Sequence, residues 1–180
     1  MSVAKPLNIM AISGSLRIDS SNTSILKFLQ SIVPQHNFWL YDGLDKLPHF
    51  NPALDNEHPP IEIQNLRKAI TEADGIIICT PEYAFGVPGS LKNMLDWTVS
   101  SGSLVDKPVA LITASSVGES AHASLLKTLE VLTANIVKGG TLLIPFIRAK
   151  MNAENQITDE QTEQNVQNVL KALLAAIAQS

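Results

Sequence analysis

The stretch SGSLRIDSSN, which directly follows the apolar run LNIMAI, contains the side chains best suited to binding an anion. Gly14 permits a tight turn, while Ser15, Ser20 and the amide of Asn22 can donate hydrogen bonds. Arg17 adds a planar, permanent charge that suits phosphate, and a helix starting here would direct unpaired N–H groups at the anion. The alternative is that these residues only cap the helix and that Arg17 is a solvated charge. The spacing matches neither G-x-G-x-x-G nor the G-K-[ST] of a P-loop.

A second candidate stretch, TPEYAFGVPGSLKNMLDW, follows the apolar run GIIIC. Two prolines and two glycines between positions 81 and 90 fix the shape of a loop that carries Tyr83 and Phe85. Such a loop could lie along a flat heteroaromatic ring, although both aromatic residues could equally pack under a turn. We interpret Cys79, which precedes the loop in an apolar strand, as a buried small hydrophobe rather than a nucleophile.

A third stretch, TASSVGESAHA, again places small residues and a glycine before a helix. Ser115, Ser116 and Gly118 could contact the other side of the same ligand, or they could form a simple turn with a hydroxyl cap. All three stretches follow strand-like runs, and in a parallel sheet ligands bind at the carboxyl ends of the strands. Their joint placement predicts one site for a phosphorylated ligand with a flat ring.

The elements that must position these stretches alternate between strand-like and helical patterns. We predict five strands, at Leu7–Ile12 and in NFWLYD, DGIIICTP, KPVALITAS and GGTLLIPF. We predict helices at Ser21–Ile32, near Ile61–Ala73, and in VPGSLKNMLDWTVS, ESAHASLLKTLEVLTANI and TDEQTEQNVQNVLKALLAAIAQ, the last with Thr158 as its N-cap. The segment KLPHFNPALDNEHPP is predicted to be a long ordered surface loop. This pattern predicts a doubly wound α/β sheet of order 2-1-3-4-5, with ligands at the ends of strands 1, 3 and 4.

Composition and charge narrow the class of protein. The 180 residues, 45% hydrophobic and 17% charged, suffice for one domain, which we place at 1–180. The 13 basic and 17 acidic residues give a net charge of -4 without a basic cluster, which argues against nucleic acid as a partner. No apolar run is long enough to span a membrane and no signal peptide is evident, so we expect a cytoplasmic protein. Cys79 is the only cysteine and the four histidines lack metal-ligand spacing, so we predict no metal site.

The first two stretches together resemble the motifs of a known family. GSLRIDSSN is similar to the element G-S-L-R-x-x-S-x-N, and TPEYAFGVPGSLKNMLDW to T-P-E-Y-N-x-[SG]-x-P-G-x-L-K-N-x-[IL]-D-W, of the NADPH-dependent FMN reductase family. That family is flavodoxin-like and includes quinone, chromate and azo-dye reductases. The resemblance implies that the FMN phosphate binds to the first stretch, at Ser15, Arg17, Ser20 and Asn22. It implies that the other two stretches flank the isoalloxazine and ribityl groups, at Pro81, Glu82, Tyr83, Ala84, Phe85, Ser115 and Ser116.

The resemblance also implies an activity. NADPH or NADH would reduce FMN, the electrons would pass to a small acceptor such as a quinone, a free flavin, an azo compound or chromate, and no catalytic side chain would be needed. Family members are commonly dimers or tetramers, so we expect a homodimer or homotetramer. Leu91, Leu95 and Trp97, in the helix after the second stretch, could form the subunit contact or the core.

The resemblance can be checked at two residues, Ala84 and Asp19. Ala84 stands where the family most often has Asn, so a side-chain amide near the flavin is lost. Asp19 must point away from a phosphate bound beside it.

Two other classes of protein are alternatives to a reductase. A flavodoxin-like electron carrier or a flavin-sensing module is the main alternative, although a net charge of only -4 gives little support for electrostatic docking. A hydrolase or phosphatase would need a base and an acid near Ser13 or Ser15, or a cysteine in the phosphate loop, and the sequence has neither.

Overall fold

Five strands form one parallel sheet with β3 at its centre. The computed structural model describes residues 5–179 of the chain. The strand order is β2-β1-β3-β4-β5, as the sequence predicted. The strands are β1 (Asn8–Ser13), β2 (Asn37–Leu40), β3 (Gly75–Thr80), β4 (Pro108–Ala114) and β5 (Asn135–Ile144).

Five α-helices cover the two faces of the sheet and complete a flavodoxin-like sandwich of three layers. They are α1 (Ser21–Ser31), α2 (Ile61–Glu72), α3 (Gly89–Asp96), α4 (Glu119–Val131) and α5 (Glu160–Ile177). The helices α1 and α5 pack on one face, and α2, α3 and α4 pack on the other. Two short 3₁₀ helices, Pro52–Leu54 and Ile147–Lys150, lie in the connections. Among residues 5–179, no helix has both the length and the hydropathy needed to cross a membrane.

Strand β3 shows why the central runs of this sequence are apolar without interruption. Ile76 and Ile78 pack beneath α2, α3 and α4, whereas Ile77 and Cys79 pack beneath α1 and α5. Successive side chains of a strand point to opposite faces, and here both faces are covered by helices. All six residues of β3 are therefore buried. Leu91, Leu95 and Trp97 are also buried, at 1% exposure or less, so the described chain uses them as core.

The structure corrects three element boundaries. Thr158 is not the N-cap of the last helix, because Asp159 caps it instead and accepts a hydrogen bond from the backbone N–H of Thr162 at 2.8 Å. The predicted fourth helix is also too long, since α4 ends at Val131 and Thr133 turns into the left-handed region with φ 54°. The chain then enters β5 at Asn135, earlier than predicted, and passes a register irregularity opposite Val109 and Leu111.

The long loop between β2 and α2 is ordered, as predicted, and it is fastened to the helices beneath it. The guanidinium of Arg67 donates to Asp55 at 2.6 Å and to the carbonyl oxygen of Trp97 at 2.7 Å. The indole N–H of Trp97 donates to the carbonyl oxygen of Pro48 at 2.8 Å, and its ring meets that of Phe50 edge to face at 5.0 Å. The loop therefore packs as part of the fold despite its prolines.

Candidate functional site

The loops after β1, β3 and β4 meet at the carboxyl edge of the sheet and surround a cavity of about 290 Å³. Every predicted binding residue except Ala84 and Phe85 lines this cavity. The predicted residues that line it are Ser15, Arg17, Ser20, Asn22, Pro81, Glu82, Tyr83, Ser115 and Ser116. Asp19 is exposed and does not line the cavity, which meets the requirement placed on it by the sequence.

The N-terminus of α1 opens into this cavity with its donors unused. Ser20 is the N-cap residue, is only 3% exposed, and makes no side-chain capping bond. Ser24 donates back to the carbonyl oxygen of Ser20, but the backbone N–H groups of Ser21, Asn22 and Thr23 have no acceptor in the described part of the chain. First-turn N–H groups and the helix dipole both favour an anion at this position.

Gly14 lets the first loop approach the sheet closely. Its backbone N–H donates to the carbonyl oxygen of Cys79 at 2.8 Å, and a Cβ at this position would lie only 2.3 Å from Oγ1 of Thr80. Beyond the turn, the hydroxyls of Ser13 and Thr23 are hydrogen-bonded at 2.9 Å, and the hydroxyl of Ser15 accepts from the N–H of Arg17 at 3.4 Å. A larger residue at this position would have to displace the Thr80 side chain or move the loop that carries Ser15 and Arg17.

The side chain of Asn22 is buried and ties α1 to two strands. Its Oδ1 accepts a hydrogen bond from the Cys79 thiol at 3.2 Å, and its Nδ2 donates to the carbonyl oxygen of Ala114 at 3.3 Å. The amide is thus occupied by the protein, while the backbone N–H of Asn22 stays available to a ligand. Burial raises the pKa of the Cys79 thiol far above its ordinary value, so Cys79 remains protonated and acts as a donor.

The second loop contains a tight turn that begins at the cavity and carries two aromatic side chains. Tyr83 and Gly86 exchange backbone hydrogen bonds of 3.0 and 2.9 Å, so Ala84 and Phe85 are the two central residues of the turn. Both have positive φ, 48° and 57°, as in a type I′ turn. Left-handed backbone costs a residue other than glycine about 1–2 kcal/mol. Tyr83 lines the cavity and is 49% exposed, and Phe85, which does not line it, is 81% exposed.

Glu82 connects the second loop to the third. Its backbone N–H donates to the hydroxyl of Ser115 at 3.1 Å. Its carboxylate accepts from the N–H groups of Ala121 at 2.9 Å and of Gly118 at 3.3 Å, at the N-terminus of α4. Gly118 itself is the N-cap residue, with φ 96°, and has no side chain with which to cap the helix. Glu82 therefore caps α4 from another loop, a role that the sequence did not indicate.

The structure adds Arg148 to the predicted site. Arg148 belongs to the 3₁₀ helix Ile147–Lys150, directly after β5, and lines the same cavity as Arg17. Neither guanidinium makes a hydrogen bond or an ion pair with any residue between 5 and 179. The sequence motifs cover only the loops after strands 1, 3 and 4, so they did not indicate a basic residue after strand 5. The signal available in the sequence was an arginine four residues beyond Ile144, at the same edge of the sheet.

The donor set of the cavity fits the phosphate end of FMN. Unused backbone N–H groups, a buried Ser20 with an uncommitted hydroxyl, and two unpaired guanidinium groups meet at one place. Such donors bind a phosphate dianion through short, charge-assisted hydrogen bonds. The described residues contain no group of three or more metal-ligating side chains.

A comparison with known families agrees with this donor chemistry. The family model described as NADPH-dependent FMN reductase matches residues 7–149, from the start of β1 to the 3₁₀ helix after β5. This chain belongs to that family. It is an FMN-dependent oxidoreductase with NADPH or NADH as its co-substrate, which confirms the cofactor and the reaction class expected from the two motifs.

Individual members of the reductase family are similar over most of the chain. The NADH:(hydroxy)cinnamate reductase subunit CrdA of Vibrio ruber is 36% identical over 161 residues, which cover 86% of this chain and 79% of that protein. The NADPH:quinone oxidoreductase of Arabidopsis thaliana is 31% identical over 182 residues, covering 95% and 92%. Among solved structures, the flavoenzyme NAD(P)H:(acceptor) oxidoreductase FerB from Paracoccus denitrificans superimposes with a TM-score of 0.75 at 27% identity, covering 96% and 98%.

Proposed function

We propose that the reductase holds the phosphate of FMN in the cavity at the N-terminus of α1. The observation that carries this assignment is the set of unused first-turn N–H groups of α1, because Ser21 and Asn22, two of the residues that supply them, line the cavity together with Arg17. The hydroxyls of Ser15 and Ser20 add donors on the same side. When bound, FMN supplies the electron-transfer chemistry, taking up hydride from the nicotinamide and reducing the acceptor.

The second and third loops flank the ring and ribityl end of FMN in this proposal. Pro81, Tyr83 and the turn at Ala84 and Phe85 form one side, and Ser115 and Ser116 form the other. Glu82 holds the two loops together through its hydrogen bonds with Ser115 and with the N-terminus of α4. The protein contributes binding, orientation and exclusion of water, and no side chain acts as a nucleophile or as a general acid.

We propose a quinone or another flat, conjugated molecule as the electron acceptor. Two relatives are named for such acceptors, a quinone and a (hydroxy)cinnamate. The half-exposed ring of Tyr83, which lines the cavity, and the exposed ring of Phe85 on the same turn can stack against a flat molecule. Aromatic pairs of this kind contribute about 0.5–1.5 kcal/mol beyond the burial of their area.

We also propose that the protein is a homodimer or homotetramer in the cytoplasm. Large apolar side chains lie exposed on the loops around the cavity, including Ile18 at 94%, Phe85 at 81% and Phe146 at 66% exposure. A second subunit would remove this surface from water. Light scattering coupled to size-exclusion chromatography measures the mass directly, and a mass near 19.5 kDa would contradict the oligomer.

The decisive experiment for the function combines a visible spectrum with a turnover assay. Purified protein is expected to be yellow or to take up FMN on titration, and to oxidise NADPH or NADH when a benzoquinone is added. A colourless protein that shows no FMN binding on titration would refute the function. A yellow protein that fails to oxidise either nicotinamide in the presence of the quinone would favour the electron carrier or flavin sensor instead.

A further inference from the structure

We propose that Arg148 is a second phosphate-binding cation, acting with Arg17 on the phosphate of FMN. The proposal rests on the function proposed above and adds a residue that lies in neither motif of the first two stretches. The group that Arg148 would bind is a phosphate monoester dianion. FMN carries this group, and NADPH carries it as its 2′-phosphate. Arg148 lines the cavity at the N-terminus of α1, and this position favours the FMN phosphate as the source.

The segment that carries Arg148 is held in place by the third loop. Phe146 leaves β5 with φ 53°, and its backbone N–H donates to the carbonyl oxygen of Ser116 at 3.2 Å. The N–H of Ile147 donates to the carbonyl oxygen of Ser115 at 3.2 Å, and the Ile147 side chain is buried at 4% exposure. The backbone just before Arg148 is therefore hydrogen-bonded to Ser115 and Ser116, two predicted site residues, and these bonds hold Arg148 next to the third loop.

The charges around the cavity leave Arg148 available for an anion. Arg17 and Arg148 are the basic residues that line it, and Glu82 is the acidic one. The Glu82 carboxylate is already engaged with the N–H groups of Gly118 and Ala121, and it forms no ion pair with either arginine in the described chain. A phosphate monoester carries close to two negative charges at neutral pH, so two arginines match it better than one.

The strand order explains why two distant arginines reach one cavity. The strands β1 and β5 lie three positions apart in the sheet, which corresponds to roughly 14 Å at 4.8 Å per strand. The loops after β1 and β5 therefore flank the loops after β3 and β4, with one arginine on each side. Arg17, Arg148 and the first residues of α1 line the same cavity, so both guanidinium groups can donate to an anion bound there.

Affinity measurements on flavin-free, full-length protein test the proposal. FMN and riboflavin, which lacks the phosphate, are titrated into wild type, Arg148→Ala and Arg148→Lys, with the quenching of flavin fluorescence as the signal. Arg148→Ala is expected to weaken FMN binding about 10- to 100-fold, as loss of a charge-assisted hydrogen bond does, and to leave riboflavin binding within about twofold. Arg148→Lys keeps the charge without the planar fork and is expected to lose less.

A matched control and a second readout separate this role from a general effect of charge. Lys150→Ala removes one positive charge from the same 3₁₀ helix at a residue that does not line the cavity, and is expected to bind FMN within about twofold of wild type. Raising the salt concentration should weaken FMN binding less in Arg148→Ala than in wild type, because one charged contact is gone. Circular dichroism should show unchanged folding, since the Arg148 side chain is exposed.

Each other outcome overturns the assignment. FMN affinity equal to that of wild type, or equal losses for FMN and riboflavin, would show that Arg148 does not bind the phosphate. Unchanged FMN affinity with a raised KM for NADPH but not for NADH would assign Arg148 to the 2′-phosphate of NADPH instead. Wild-type protein that binds neither flavin would refute the proposed function itself, and this result is visible before any variant is compared.

Discussion

The Glu82 carboxylate accepts hydrogen bonds at the N-terminus of α4, and its removal should therefore lower the free energy of unfolding. Glu82→Ala removes the acceptor of the Ala121 N–H at 2.9 Å, the longer contact to Gly118, and a negative charge at the helix N-terminus. Loss of an N-cap acceptor costs about 0.5–2 kcal/mol and loss of the charge about 0.3–1 kcal/mol. We therefore expect the free energy of unfolding to fall by about 2 kcal/mol.

Urea unfolding of the flavin-free protein, followed by circular dichroism, measures this loss. With an m-value of about 2 kcal/mol/M, the midpoint for Glu82→Ala should fall by about 1 M. Glu82→Gln keeps a neutral acceptor and should lose about half as much. FMN affinity should fall in the same order, because the loops after β3 and β4 lose the link between Glu82 and α4.

Glu119→Ala is the matched control for this prediction. Glu119 is the acidic residue in the first turn of α4, is exposed, and makes no side-chain hydrogen bond within residues 5–179. Its removal should cost about 0.5 kcal/mol, through the helix dipole alone. If Glu82→Ala unfolds at the same urea concentration as Glu119→Ala, the capping role of Glu82 is refuted.

Three further predictions concern other parts of the chain. Ala84→Asn should raise the free energy of unfolding by about 0.5–1 kcal/mol in the same assay, because Asn tolerates the left-handed backbone of the turn better than Ala, and no change would argue against strain there. Burial alone would raise the pKa of Asp55, but hydrogen bonds from Arg67 and Ser100 and the charge of Arg67 outweigh it and hold that pKa below 3.8. A depressed folded-state pKa adds stability that is present above the unfolded value and lost as the pH falls through the folded one. The stability advantage of wild type over Asp55→Asn should therefore shrink as the pH falls below about 4, and a constant difference would contradict this. Cys79 should not react with an aromatic disulfide reagent until urea unfolds the protein, and rapid reaction in buffer would show that the thiol is not buried.

The fold was predictable from the sequence because both faces of the central strands are covered. Uninterrupted apolar runs such as Ile76–Cys79 are typical of parallel strands with helices on either side, and they indicated the strand positions. The order followed from the commonest small doubly wound topology. Helix ends were harder, because Thr158 and Asp159 are both good caps and only the backbone geometry decides between them.

The site was predictable in outline and not in its detail. Residue types placed three loops around one cavity, but they could not distinguish the Glu82 carboxylate on a cofactor from the same carboxylate on a helix. Nor could they show that the Asn22 amide is occupied by Cys79 and Ala114. Arg148 was missed although the sheet order was predicted correctly, because only the structure shows that the segment after β5 is hydrogen-bonded to the loop after β4 and reaches the same cavity.

The buried amide of Asn22 has a consequence for how tightly and how fast the flavin binds. Because it bonds to β3 through Cys79 and to β4 through Ala114, the first turn of α1 is ordered by the folding of the sheet rather than by the ligand. The conformational entropy of that turn is then lost before FMN arrives, so association avoids an ordering cost of about 1–2 kcal/mol per residue. The anion-binding end of the reductase is thus preorganised, and flavin release should leave it folded and ready to rebind.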